Sequence, residues 1–334
     1  MKNLFLMMFC AFLSFLAGAQ MMPDSTVQIC AYWEKGDRVV YECQATTKQI
    51  DADGTETTKN ASSEIRIFEI IEETDSSYVI QTTYKDVFSS EVSLSMGADI
   101  VNRLSEGVVI HTLTDEFGSI QDVVNIEALA ETMKRIVPVA VDAALSKYDK
   151  KQDVDRDAFI EYYTEALCRP ETVVATCMED VQPLLFYHGT RLSLNDEYTM
   201  TQEFSNPLPD GGGSFEADTK FWVDTENSDS TLVVIHSFMK VDSDVLMPFV
   251  RDALADTVRS LMPQGMSQEE ILEEVDKHIA DTHMEMTLTQ VSTTAIDLYS
   301  GWTVYWGSTR RILSESDEGR VENIEKREVK AVDE

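Results

Sequence analysis

The chain is short of positive charge. Its 27 lysines and arginines stand against 60 aspartates and glutamates, a net −33 at pH 7. Proteins grip nucleic-acid phosphates and anionic headgroups through Lys and Arg, so the sequence excludes both as primary partners. It also lacks the short patterns that carry chemistry. There is no H-E-x-x-H, no G-x-S-x-G, no phosphate-binding glycine loop and no C-x-x-C. Beyond residue 16 no run approaches the about 20 apolar residues that a membrane-spanning helix needs. No metal or cofactor is therefore expected, and no transmembrane segment once the leader is removed.

What is present begins with that leader. Lys2 supplies a positive start, Leu4 to Leu16 an apolar stretch, and Ala17-Gly18-Ala19 a small-residue end. Residues 1–19 are expected to be a cleaved signal peptide, with the mature chain starting at Gln20. The protein is expected to be periplasmic or secreted, and soluble. Loss of Lys2 makes the mature chain one unit more negative, and charge of this size favours solubility. Hydrophobic residues make up 43%, an ordinary share for a folded chain.

Four cysteines remain after cleavage: Cys30, Cys43, Cys168 and Cys177. An even count suits an oxidising compartment. Their grouping favours Cys30–Cys43 and Cys168–Cys177, among three connectivities.

The same layout occurs twice along the chain. Gly36-Asp37-Arg38-Val39-Val40-Tyr41 and Asn195-Asp196-Glu197-Tyr198-Thr199-Met200 each open an alternating strand after a turn. Val39, Tyr41, Cys43 and Ala45 share one face; Tyr198, Met200 and Phe204 share one in the second half. Turn-rich loops follow at 51–54 and 209–213. Long hairpins come next. Ile65 to Glu73 turns into Tyr78 to Val87, and Phe215 to Thr225 turns into Leu232 to Val241. Helices close each half. Asn125 is placed to cap a helix from Ile126 to about Lys147, Asp155 or Asp157 opens another, and Pro170 suits the first turn of a third. Asp244 to Met262 carries an apolar stripe, and Ser267-Gln268-Glu269-Glu270 forms a capping box for a helix to about Thr282. The chain ends in strands at Met284–Ile296 and Trp302–Leu313 and a polar edge strand near Val321–Val329. The expected fold class is α+β: a curved, mostly antiparallel sheet packed on helices, in two pseudo-repeats over 20–190 and 191–334, either separate or fused into one domain.

Candidate sites are few. Ser237-Phe238-Met239-Lys240 matches S-x-x-K but sits in a strand, where positions three apart face opposite sides. Asp153, Asp155 and Asp157 resemble a calcium loop. Ala158 stands where glycine belongs and Thr164 where a bidentate Glu belongs, so an acidic helix cap reads better. His278, Asp281, His283 and Glu285 miss metal-ligand spacing and read as a solvated helix end. Asn60-Ala61-Ser62 fits a glycosylation sequon. His111, His188 and His236 are isolated. The aromatic tract is the strongest feature. Trp302, Val304 and Trp306 share one strand face with Tyr305 on the other, and Trp222 sits between Lys220 and Asp224. Aromatics facing helices are usually core, but a curling sheet would make them line an apolar cavity. The candidate ligand-binding set is Trp222, Trp302, Tyr305 and Trp306.

The signal, the Gly36-Asp37 and Asn195-Asp196 openers, the long hairpins and the helices over a sheet together resemble a loose group of exported proteins of Gram-negative bacteria. Their layout is similar to the lipoprotein-carrier (LolA/LolB-like) half-barrel, and the resemblance spans most of 30–330. It implies a half-barrel fold and carries no functional residue across. The expected function is a non-enzymatic protein that binds an apolar ligand, a lipid or acyl chain, between sheet and helices. The alternative is a cell-envelope structural or protein-interaction module with a filled core.

Overall fold

A computed structural model describes residues 22, 24–90, 98–146, 155–206, 213–261, 267–317 and 319–333. The leader at 1–19 lies outside them. Alternating side chains and tight turns produce long antiparallel hairpins. β2 (Arg38–Ile50), β3 (Glu56–Thr74) and β4 (Ser77–Ser89) run consecutively, followed by α1 (Ala98–Ser105), β5 (Val109–Asp115) and β6 (Ile120–Val123). The second series is β8 (Glu197–Ser205), β9 (Ser214–Val223), β10 (Leu232–Val241), β11 (Glu285–Asp297), β12 (Thr303–Ser316) and β13 (Gly319–Val332). Short β1 (Thr26–Gln28) and β7 (Arg191–Ser193) pair with each other as a separate antiparallel ribbon.

All the longer strands join one 11-stranded antiparallel sheet in the order β6-β5-β4-β3-β2-β13-β12-β11-β10-β9-β8. Adjacent strands twist by roughly 20–25° each, so a sheet this wide must curl. It is curved and open, with β6 and β8 as its edges. Every neighbour in the sheet is a neighbour in the chain except at the centre, where the last strand pairs with β2 from Glu322↔Ile50 to Val332↔Val40. The expectation of a polar edge strand at 321–329 is thus corrected. β13 is central, and it is polar because part of the surface beneath it is not packed.

The α+β class is as expected, with helices on one face of the sheet. Between β6 and β7 lie α2 (Ile126–Leu145), α3 (Arg156–Leu167) and α4 (Pro170–Leu185); between β10 and β11 lie α5 (Ser243–Leu261) and α6 (Gln268–Asp281). Pro170 occupies the first turn of α4, where its missing N–H costs nothing. Asp155 caps α3 by accepting from the backbone N–H groups of Asp157 and Ala158, and the Ser267–Glu270 capping box forms at α6. Asn125 is used differently from expectation. Its Oδ1 accepts from His111 N at 2.9 Å and its Nδ2 donates to Val109 O at 2.7 Å, which ties the helix entrance to β5. Among the described residues no helix is long and apolar enough to cross a membrane.

Three apolar clusters fasten helices to the sheet. α4 presents Val181, Leu184 and Leu185 to Tyr41, Phe68, Ile70, Ile80 and Trp302. α2 and α4 bury Leu129, Val173 and Cys177 against Tyr84, Ile110 and Val123. α5 lays Leu246 and Val250 on Phe215, Met239, Met286 and Leu288. The expected pairs Cys30–Cys43 and Cys168–Cys177 are not formed, and all four side chains are thiols. Cys43 is in the middle of β2 while Cys30 lies in the loop after β1, and Cys177 is on the buried face of α4 while Cys168 sits half-exposed at the end of α3. Local spacing in the chain did not bring either pair together.

Candidate functional site

Alternation places every second residue of each strand on the helix side, and the register aligns these residues in rows across the sheet. The uppermost region is packed. Trp302 stacks on Trp33 with centroids 4.3 Å apart and an interplanar angle of 21°, and Phe68 meets Trp302 edge-on at 6.4 Å. Gly301, at φ +77°, carries the chain into this stack with its Cα against the Cys30 carbonyl, where any Cβ would collide.

One row lower the composition begins to change: Cys43, Val329, Trp306, Thr294 and Ile235 lie side by side on β2, β13, β12, β11 and β10. The next row reads Ala45, Arg327, Ser308, Ser292 and Ser237 on the same strands. The row after it reads Thr47, Glu325, Arg310, Gln290 and Met239. Short hydroxyl side chains stand where a packed core would hold Leu or Ile. Below them the apolar cluster under α5 resumes at Ile312 and Leu288.

The unfilled space forms two cavities on either side of α4. The larger, about 320 Å³, lies over β2, β3 and β13 and is walled by Ala45, Ser62, Glu64, Arg66, Asp180 and Arg327 among others. The smaller, about 190 Å³, lies over β8 to β11 and is walled by Met178, Phe186, Tyr187, Phe204, Met239 and Ser292 among others. Trp306, Glu179 and Pro183 line both, so one indole and one turn of α4 divide them.

Charge in the larger cavity is mostly satisfied internally. The buried Arg66 guanidinium bonds Glu64, donates to Asp180 Oδ1 at 2.8 Å and to Asp180 O at 2.6 Å, and Tyr84 Oη donates to Asp180 Oδ2 at 2.6 Å. Burial works against the Arg66 charge, but Asp180, Cys43 and Glu64 outweigh it and hold its pKa above normal. Burial raises the Tyr84 hydroxyl well above its ordinary value and pushes the Cys43 thiol up to about 12, so Cys43 is a neutral wall. Arg310 is the contrary case, its pKa lowered by burial.

The sequence-derived aromatic set divides. Trp306 lines both cavities. Trp302 is in the packed region above them. Tyr305 lies on the outer face, donating to Glu328 Oε1 at 3.3 Å beneath the Lys330 ammonium. Trp222 is also on the outer face, its ring 5.9 Å from His236, which bonds Asp224 and Thr293. Asn60 of the sequon faces the larger cavity and accepts from Ser90 Oγ. Ser237 faces the helices within β10, with its hydroxyl 2.6 Å from that of Ser292. Sequence reasoning missed Arg66, Asp180, Arg310 and Arg327. The available signal was polar residues at alternate positions on the core-facing side of strands.

No family model matches the chain, and no curated protein matches it. Among solved structures, one of lipovitellin that concerns its lipid–protein interactions aligns over 90% of this chain at 10% identity and a TM-score of 0.34. The chain spans about a quarter of that structure's length, 25%. OmpT, an outer membrane protein of Vibrio cholerae, aligns over 91% of this chain and 99% of its own at 7% identity and a TM-score of 0.19. A hot-dog-fold protein of Alicyclobacillus acidocaldarius aligns over 91% of this chain and 82% of its own at 8% identity and a TM-score of 0.11. Similarity this low assigns neither fold nor function.

Proposed function

We propose that the protein is an exported, non-enzymatic binding protein that takes an apolar or amphipathic molecule, a lipid or acyl chain, between the sheet and α4. One observation carries this reading. Two cavities sharing Trp306 open beside α4 where hydroxyl side chains replace the large apolar ones that would close the core. Phe186, Tyr187, Phe204, Met239 and Trp306 supply apolar walls. Each methylene transferred from water to such walls contributes about 0.8 kcal/mol. The hydroxyl row and Gln290 supply hydrogen-bonding groups at the floor, the mixed lining usual in sites for small molecules.

The test is native mass spectrometry after gentle purification, together with titration of a fluorescent fatty acid. A ligand-shifted mass or saturable binding is expected. Trp306→Ala should weaken binding about tenfold, the equivalent of losing two methylene contacts, whereas Trp222→Ala on the outer face should leave it unchanged. A clean apo mass with no saturable binding overturns the proposal.

A second reading, a cell-envelope interaction module, is favoured by a different observation. Phe238 and Val291 are register partners on the outer face and are 37% and 48% exposed, an apolar pair open to solvent. Pull-down from envelope extracts that depends on Phe238 and not on Trp306 would favour it.

A further inference from the structure

We infer that Arg310 and Arg327 form an oxyanion-binding site on the cavity floor, one that holds a carboxylate or phosphate. Taken with the proposed function, which it deepens, this makes the ligand an anionic amphiphile with its charged head at the seam between the two cavities. Arg310 lies on β12, on the helix side between Ser308 and Ile312. Its register partners are Gln290, which lines the smaller cavity, and Glu325, which lines the larger. Among the described residues its buried Nε has no hydrogen-bond partner. Glu325, the carboxylate directly across from it, is already engaged: Glu325 Oε1 accepts from Arg327 Nε at 2.6 Å. Arg310 and Arg327 thus face one carboxylate between them, a cationic spot in a lining that is otherwise acidic through Glu64, Asp180 and Glu179.

A buried N–H left without an acceptor, as Arg310 Nε is, is costly, and a bound oxyanion removes that cost. The planar fork of Arg matches carboxylate and phosphate geometry two bonds at a time. Neighbouring groups suit the same ligand. Ser308 sits directly across from Arg327, and Ser292 and Ser237 continue the row; these two bond each other, which leaves one of their hydroxyls with a proton to donate. Arg66 is not available, being held by Glu64 and Asp180. Glu179 on α4 opposes the site and lines both cavities; it is exposed, as is Arg327, so solvent screens both, and Arg310 is the more buried arginine of the pair.

The test compares lysophosphatidate and palmitate with a neutral monoacylglycerol of equal chain length, and separately measures thermal stability in inorganic phosphate against chloride at matched ionic strength. The anionic amphiphiles should bind about tenfold more tightly than the neutral one, the scale of one charge-assisted hydrogen bond. Arg310→Gln should abolish that preference and leave the neutral affinity intact. Arg310→Lys should retain part of it. Arg311→Gln, on the outer face beside Glu322, should change nothing. Stabilisation by phosphate in the parent and the Arg311 variant, but not in the Arg310→Gln variant, supports the site. If that occurs while no amphiphile binds, the site stands with a free oxyanion as its ligand and the acyl-chain reading falls. Equal binding of charged and neutral amphiphiles, with no phosphate effect that depends on Arg310, overturns the site and leaves the acyl-chain reading intact. Failure of every arm overturns both.

Discussion

His188 lies completely within the fold, beside the Trp33–Trp302 stack, with its ring 5.5 Å from Trp33 and its Nε2 donating to Gly301 O at 2.7 Å. Burial pushes its pKa down to about 4. The unfolded chain binds this proton below about 6.5, whereas the folded chain resists it until about 4. Between those values the unfolded state holds more protons, so stability falls as pH falls through that window. At pH 5 the folded protein should be about 2 kcal/mol less stable than at pH 7 from this group alone. Chemical denaturation at both pH values checks it: His188→Gln, less stable throughout, should lose about 2 kcal/mol less between them. The sequence marked this histidine only as isolated, because nothing local announces burial by Trp33, Trp302 and Gly301. The aromatic tract was legible in the same partial way. Alternation correctly separated Trp302 and Trp306 from Tyr305, but which row of the sheet is packed and which is hollow depends on the residues across from each.

At the scale of elements, α4 divides the cavities and is held by one ionic anchor. Val173, Cys177, Val181 and Leu184 bury its apolar stripe, and Asp180 between them ties it to β3 and β4 through Arg66 and Tyr84. Removing Asp180 leaves Arg66 with Glu64 alone and Tyr84 Oη without its acceptor. Asp180→Ala should therefore destabilise the protein by roughly 3 kcal/mol, more than Arg66→Met does, because the latter leaves no buried cation behind. Urea denaturation of both variants and of the double mutant checks the order, and hydrogen exchange should quicken first in α4. Elements themselves were largely readable: the hairpins 65–87 and 215–241, Pro170 and the Ser267–Glu270 box all carry local signals. Asn125 does stand at the helix start, its carbonyl accepting from Leu129 N, but its side chain is taken by Val109 and His111, which belong to a strand that sequence gives no reason to place there.

In the whole molecule the C-terminal strand joins the two halves of the sheet. β13 pairs with β12 through twelve residues, from Gly319↔Ser316 to Lys330↔Tyr305, and with β2 through eleven, from Glu322↔Ile50 to Val332↔Val40. A chain ending before Gly319 would expose the edges of β2 and β12 and lose the central ladder. It should show no cooperative thermal transition by circular dichroism and should be cut rapidly by protease, whereas removal of a peripheral strand would leave the remainder paired. A native-like melt of the truncated chain would contradict this placement. The pairing of β13 with β2 joins residues almost a full chain length apart, and no periodicity or turn signal encodes it.

The sequence by itself determined the charge, the strand and helix types, the hairpin turns and the side of each strand that faces the helices, because each of these follows from residues within a few positions of one another. The tertiary structure alone decided that polar β13 is central, that the four cysteines remain thiols, that the upper aromatic row is packed and that Ala45, Arg327, Ser292 and Ser237 beneath it line open space. Those outcomes depend on which distant strand lies alongside, and thus on whether the side chains meeting across each row are large enough to fill the distance to α4.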